Sequence, residues 1–201
     1  VWWPFRPPAL AGGGRGRGVA LLLALVAATA FPLSPALADW TTETRVSGLK
    51  VAATAATARF GEQAFAADVS IECYPGEDGS FTIMLVVEGI EALSGFPYLD
   101  FEGPDAPMNE RALFRVAVGA GPPRDLRQSG WFATGTDFAF AHSDIPAGEG
   151  IVAGIVRSVL AGGAPWTIAI VHPDDPAKAI VAEVPLEGAL PALAAATEGC
   201  R

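Results

Sequence analysis

The sequence predicts a mainly β domain: a single β-sandwich or partly open barrel of about eight or nine strands with two short helices, the last at the C-terminus. Three observations carry this. Residues 68–88 read as two alternating runs around a turn. Several further short runs with strand character follow, each bounded by Gly, Pro or Asp. The apolar spacing changes to a helical period only twice, near residues 151–160 and 186–197.

The central stretch is Asp68-Val69-Ser70-Ile71-Glu72-Cys73-Tyr74, a turn Pro75-Gly76-Glu77-Asp78-Gly79, then Ser80 to Glu88. Val69, Ile71 and Cys73 share one face of a strand, and Ser70, Glu72 and Tyr74 share the other. Phe81, Ile83, Leu85 and Val87 repeat the period of two. A five-residue turn between such runs makes a hairpin with a longer loop, placed at the centre of the core.

Trp40 to Val46 opens the domain, and Val46-Ser47-Gly48 is a turn. Leu49 to Thr57 mixes helix-favouring alanine with threonine before Gly61, and is read as a strand. Phe96–Phe101, Ala112–Val118, Asp125–Ala133 and Asp137–His142 are strands, with loops at Glu102–Pro107, Gly119–Pro123 and Thr134–Thr136. Between Pro146 and Gly162, the residues Ile151, Val152, Ile155, Val156, Val159 and Leu160 make one apolar helical stripe. Pro165–Val171 and Ala179–Val184 form a hairpin. Leu186, Leu190, Leu193 and Thr197 define a last helix, which must start near Gly188 or Ala189 so that Pro191 falls in its first turn.

Residues 1–38 read as an export signal. Arg6, Arg15 and Arg17 precede the 13-residue apolar run Val19–Phe31, Pro32 and Pro35 break it, and Ala36-Leu37-Ala38 offers a cleavage site. A short uncut membrane anchor is the alternative. Val1, Trp2 and Trp3 suggest a non-AUG or misplaced start. Residues 39–201 are then one exported domain, large enough for a real core. The first 38 residues hold three of the 13 basic residues and none of the 22 acidic ones, which leaves the remainder at −12. Such acidity gives no footprint for nucleic acid or anionic lipid and is read as a solubilising surface.

Two cysteines in an exported chain point to one disulfide, Cys73–Cys200, with two free thiols or pairing between chains as the alternatives. No C-x-x-C supports redox exchange. His142 and His172 lie 30 residues apart without the clustering that zinc needs, so no metal is expected there. Asp100, Glu102 and Asp105 lack the calcium-loop spacing and are read as a solvated loop. No G-x-S-x-G, Walker or G-x-G-x-x-G pattern occurs in residues 39–201, and no cofactor is expected.

The order of isolated features adds a resemblance. Trp40 follows the signal, a strand ends in Cys73, Arg115 lies in a later strand with Trp131 after it, and Ala182-Glu183-Val184-Pro185-Leu186-Glu187-Gly188-Ala189-Leu190-Pro191-Ala192-Leu193 leads to Cys200. This resembles the small periplasmic accessory proteins associated with type VI secretion. It is similar, more distantly, to the invasion-associated locus B proteins. The resemblance spans nearly all of residues 40–200, with Pro191 standing where a helix former is expected. It implies an accessory exported β-rich protein whose partner is another envelope or secretion protein. It also singles out Arg115 and Trp131 as candidate binding or structural residues. Trp131 is expected to be substantially buried, and Arg115 to pair with a carboxylate or stack on a ring.

The sequence therefore favours a non-catalytic periplasmic or secreted accessory or binding protein. A small-ligand or glycan binder would use Trp131, Trp166 and Tyr98 as an aromatic platform. A cell-envelope hydrolase would need His142, Asp137 and Ser143 to converge.

Overall fold

Short turns between consecutive alternating segments force antiparallel pairing, and that rule builds most of the sheet. The computed structural model describes residues 39–200 except 77–78, 109, 146–149 and 163. The expected leader, with its cleavage after Ala38, lies outside the described residues. The strands are β1 (Thr41–Thr44), β2 (Lys50–Phe60), β3 (Gln63–Tyr74), β4 (Ser80–Val87), β5 (Leu113–Val118), β6 (Arg124–Arg127), β7 (Ser129–Thr134), β8 (Asp137–Asp144), β9 (Trp166–Val171) and β10 (Ala179–Val184). The helices are α1 (Ile151–Gly162) and α2 (Ala189–Ala196). Among the described residues the ten strands form one antiparallel sheet, in the order β6-β5-β9-β10-β2-β3-β4-β8-β7. β1 pairs with the start of β2, while β10 pairs with its far half.

The sheet curls into a half-barrel. β6 and β7 stand at opposite ends of the strand order, yet only Gln128 separates them in sequence. Asp125–Ala133 is thus two strands rather than the single one expected, because β6 pairs with β5 and β7 with β8. Gly130 permits the close approach of β7 to β8: a Cβ there would run into the Phe138 ring and come within 3.0 Å of the Ala139 carbonyl. Helix α1 packs against β8 and β4 and also against β5, spanning the curl.

Period-two alternation puts one side of every long strand inside. Val69, Ile71 and Cys73 of β3, Phe81, Ile83, Leu85 and Val87 of β4, Phe138 and Phe140 of β8, and Ile168 and Ile170 of β9 are buried. α1 adds Val152, Ile155, Val156 and Val159 to the same core, and α2 adds Leu193. β2 and β3 run past the predicted limits to meet at a two-residue turn, where Gly61 takes φ +59°. The alanine-rich sequence at 64–67 hid that extension.

Phe96–Phe101 is not the strand the sequence predicts. Pro97 offers no N–H for a ladder, and Tyr98–Phe101 closes a short 3-10 helix instead. The loop still serves the core. Phe96 stacks on Phe101 with ring centroids 5.6 Å apart, and Phe101 meets Phe140 edge-on at 5.5 Å. These rings plug the half-barrel alongside Phe60 and His172.

Gln128, at the junction of the two sheet edges, is 1% exposed, and its side-chain amide has no hydrogen-bond partner among the described residues. Burying an unpaired amide costs free energy that an apolar side chain of similar shape does not. Gln128→Met should therefore be neutral or stabilising by up to about 1 kcal/mol in denaturant titration. A loss above about 1 kcal/mol would show that the amide holds an ordered water.

Candidate functional site

The disulfide lies where the core strand meets the chain end. Cys73 and Cys200 are bonded, with Cα atoms 5.9 Å apart and 127 positions of separation. Cys73 sits at the end of β3 between Lys50 of β2 and Phe81 of β4. Lys50 Nζ donates to the Glu198 carbonyl at 3.0 Å, and Thr197 Oγ1 donates to the Leu193 carbonyl at 2.7 Å. Pro191 falls in the first turn of α2, where its missing N–H is harmless.

Arg115 and Trp131 occupy different parts of the sheet. Arg115 on β5 donates to Asp125 of β6 twice, through Nε at 2.6 Å and Nη2 at 2.9 Å. This forked pair holds the Asp125 carboxyl below its ordinary range and raises the guanidinium. Trp131 is 42% exposed, which corrects the expectation of burial. Its strand is an edge, and the side chain sits beside Ala139 on the outer face. The pair is not a joint site.

The other sequence candidates also separate. Trp166 is buried and stacks on Trp40 at 6.3 Å, while Tyr98 packs edge-on against Phe132 and Phe138. Together with exposed Trp131 they do not make one platform. His142 points inward, with Nε2 3.3 Å from Asp144 Oδ1 and Nδ1 against the Arg127 carbonyl. Ser143 faces outward, 2.7 Å from Thr82 Oγ, and Asp137 binds the Gly89 N–H and Thr134 Oγ1. The His142, Asp137 and Ser143 side chains therefore do not converge. His172 packs against Phe96. Among the described residues, no group of three His, Cys, Asp or Glu side chains could hold a metal ion.

The most distinctive chemistry lies on the outer face, in a trough of about 440 Å³ bordered on one side by β1. Strand register builds it. Asp68, Ser70 and Glu72 project from β3 in a polar file. Val51 and Ala53 of β2 line one side, Met84 and Val86 of β4 the other, and Glu43 and Arg45 close the β1 end. Ser70 is 8% exposed, and its Oγ has no partner among the described residues. Burial pushes the Glu72 carboxyl above its ordinary range; the positive charge of Arg45 opposes this and the negative charge of Glu43 adds to it. Arg45 is itself engaged by Glu43, Nε to Oε1 at 2.8 Å.

Glu72 yields a pH signature. A carboxyl whose folded-state titration lies above its unfolded value makes stability fall as pH rises through that interval, because the folded state holds the proton longer. Glu72→Gln should then gain thermal stability relative to the parent between pH 4 and pH 7. An unchanged difference across that range would contradict a desolvated carboxylate.

A second groove, about 580 Å³, runs along α1 between Arg124, Gly154 and Arg157. The Arg124 guanidinium lies against the bare Gly154, where a Cβ would stand 2.8 Å from Nη1. The trough differs from it in holding a buried polar atom without a partner. The sequence showed Ser70 and Glu72 as one face of a strand, but only the register reveals aliphatic walls on both sides. In comparisons with family models, curated proteins and solved structures, nothing matches this chain.

Proposed function

We propose that this chain is a non-catalytic accessory or binding protein of the periplasm or the secreted space, with the outer trough as its binding surface. The observation that carries this reading is the open outer trough itself, in which the half-buried Glu72 carboxyl lies on the same face as the aliphatic side chains of Val51, Ala53, Met84 and Val86. Holding a carboxylate partly out of water costs free energy in the isolated chain, and a partner that donates hydrogen bonds to it offsets that cost. The opposite face of the sheet is filled by side chains of its own helices and aromatic loop. A disulfide between core strand and chain end fits an oxidising compartment. Among the described residues no helix is long and apolar enough to cross a membrane. The resemblance to type VI secretion accessory proteins points to another envelope or secretion protein as the partner.

Site-specific photocrosslinking in the native envelope tests the reading. A photoreactive residue at Met84, inside the trough, should give one defined adduct. The same residue at Glu62, in the turn between β2 and β3, should not. Equal adducts from both positions, or none from Met84, would remove the trough as the binding surface.

A further inference from the structure

The groove along α1 holds a cation to which the chain gives no counter-charge. Among the described residues no carboxylate pairs with the exposed Arg124 guanidinium, although the chain carries 22 acidic residues. Its neighbour Asp125 lies on the other face of β6, forked to Arg115. The Asp144 carboxyl beside Gly150 is committed to the Val152 N–H and to His142. The guanidinium rests on helix backbone left bare by Gly154, a position where alanine would be the better helix former. Ser158 Oγ is turned onto the Gly154 carbonyl at 2.9 Å, so its proton is already placed. An apolar recess of about 150 Å³ adjoins the groove and shares Arg124 and Ser158 with it. Register sets the two together, because Arg124 pairs with Val116 across the β5–β6 hairpin. Val116, Val118, Pro122 and Ile155 line the recess. A cavity of about that size accommodates one benzene ring.

We propose that this groove and recess bind a small organic acid, its carboxylate on the Arg124 guanidinium and its compact apolar body, no larger than a single ring, in the recess. The site is separate from the outer trough and does not depend on it. A guanidinium presents a planar fork of N–H donors that matches the two oxygens of a carboxylate. The aliphatic walls favour a hydrocarbon body over a hydroxylated one, whose polar groups would lose water there without gaining partners. The surplus of acidic residues disfavours a polyanion or an anionic membrane far more than it disfavours a single carboxylate.

Titration of the intact, disulfide-bonded protein with benzoate, followed by backbone amide shifts at low ionic strength and neutral pH, tests the proposal. Saturable one-to-one binding is expected, with shifts centred on Val118, Arg124, Gly154 and Ser158. Acetate supplies the charge without the ring, and benzyl alcohol the ring without the charge; each should bind at least roughly tenfold more weakly. Arg124→Gln should weaken benzoate binding by roughly tenfold or more while thermal melting shows a folded protein. Arg59→Gln removes the same charge from β2, outside the groove, and should leave the affinity unchanged. No saturable shift at tens of millimolar benzoate, an equal loss in Arg59→Gln and Arg124→Gln, or acetate binding as tightly as benzoate would overturn it.

Discussion

Replacing both cysteines, Cys73→Ser with Cys200→Ser, is expected to cost about 3–5 kcal/mol of stability. The crosslink spans 127 positions, so its loss frees most of the domain in the unfolded chain. The chain-entropy treatment puts a loop of that length at roughly 4–5 kcal/mol. The folded state loses an anchor as well. α2 has eight residues with a proline in its first turn, too short to persist without tertiary support. It buries Ala189, Ala192, Leu193 and Ala196 against the core, and the bond fixes the chain just beyond it to the end of β3. Urea titration of the double variant should show a midpoint far below the parent's. Limited proteolysis should cut first between Leu186 and Cys200. A loss below about 1 kcal/mol would show that Lys50–Glu198 and the helix packing hold the terminus unaided.

The second large effect belongs to Asp144. Its carboxyl is almost fully buried at the end of β8, and Oδ2 accepts from the Val152 N–H at 2.6 Å, so a strand residue caps the first turn of α1. Oδ1 lies 3.3 Å from His142 Nε2. Asp144→Ala leaves the Val152 N–H and the imidazole without that partner and should cost roughly 2–3 kcal/mol. Gly150 is part of the same device, since a Cβ there would overlap the Asp144 carboxyl. Gly150→Ala should therefore reproduce much of the Asp144→Ala loss in chemical denaturation, roughly 1–3 kcal/mol. A Gly150→Ala variant as stable as the parent would mean that the carboxyl does not pack against residue 150.

What the sequence made legible was local. Alternation at Val69, Ile71 and Cys73 and at Phe81, Ile83, Leu85 and Val87 identified the core strands and their buried faces. The spacing of Ile151, Ile155 and Val159 identified α1. Pro191 placed the start of α2. What it hid depends on pairing between distant segments. Asp125–Ala133 looks like one strand, because nothing local shows that Arg124–Arg127 and Ser129–Thr134 belong to opposite ends of the sheet. Trp131 looks like core until β7 proves to be an edge with its indole on the outer face. Phe96–Phe101 has strand composition, but its rings are used as a plug. The trough was hidden for the same reason. Ser70 and Glu72 look like an ordinary outward face until β2 and β4 set aliphatic walls beside them and β1 borders one side.

The trough as the binding surface is tested most directly by photocrosslinking in the native envelope from Met84, inside it, and from Glu62, outside it. One defined adduct should form from Met84 and none from Glu62. Equal adducts from both positions, or none from Met84, would contradict it.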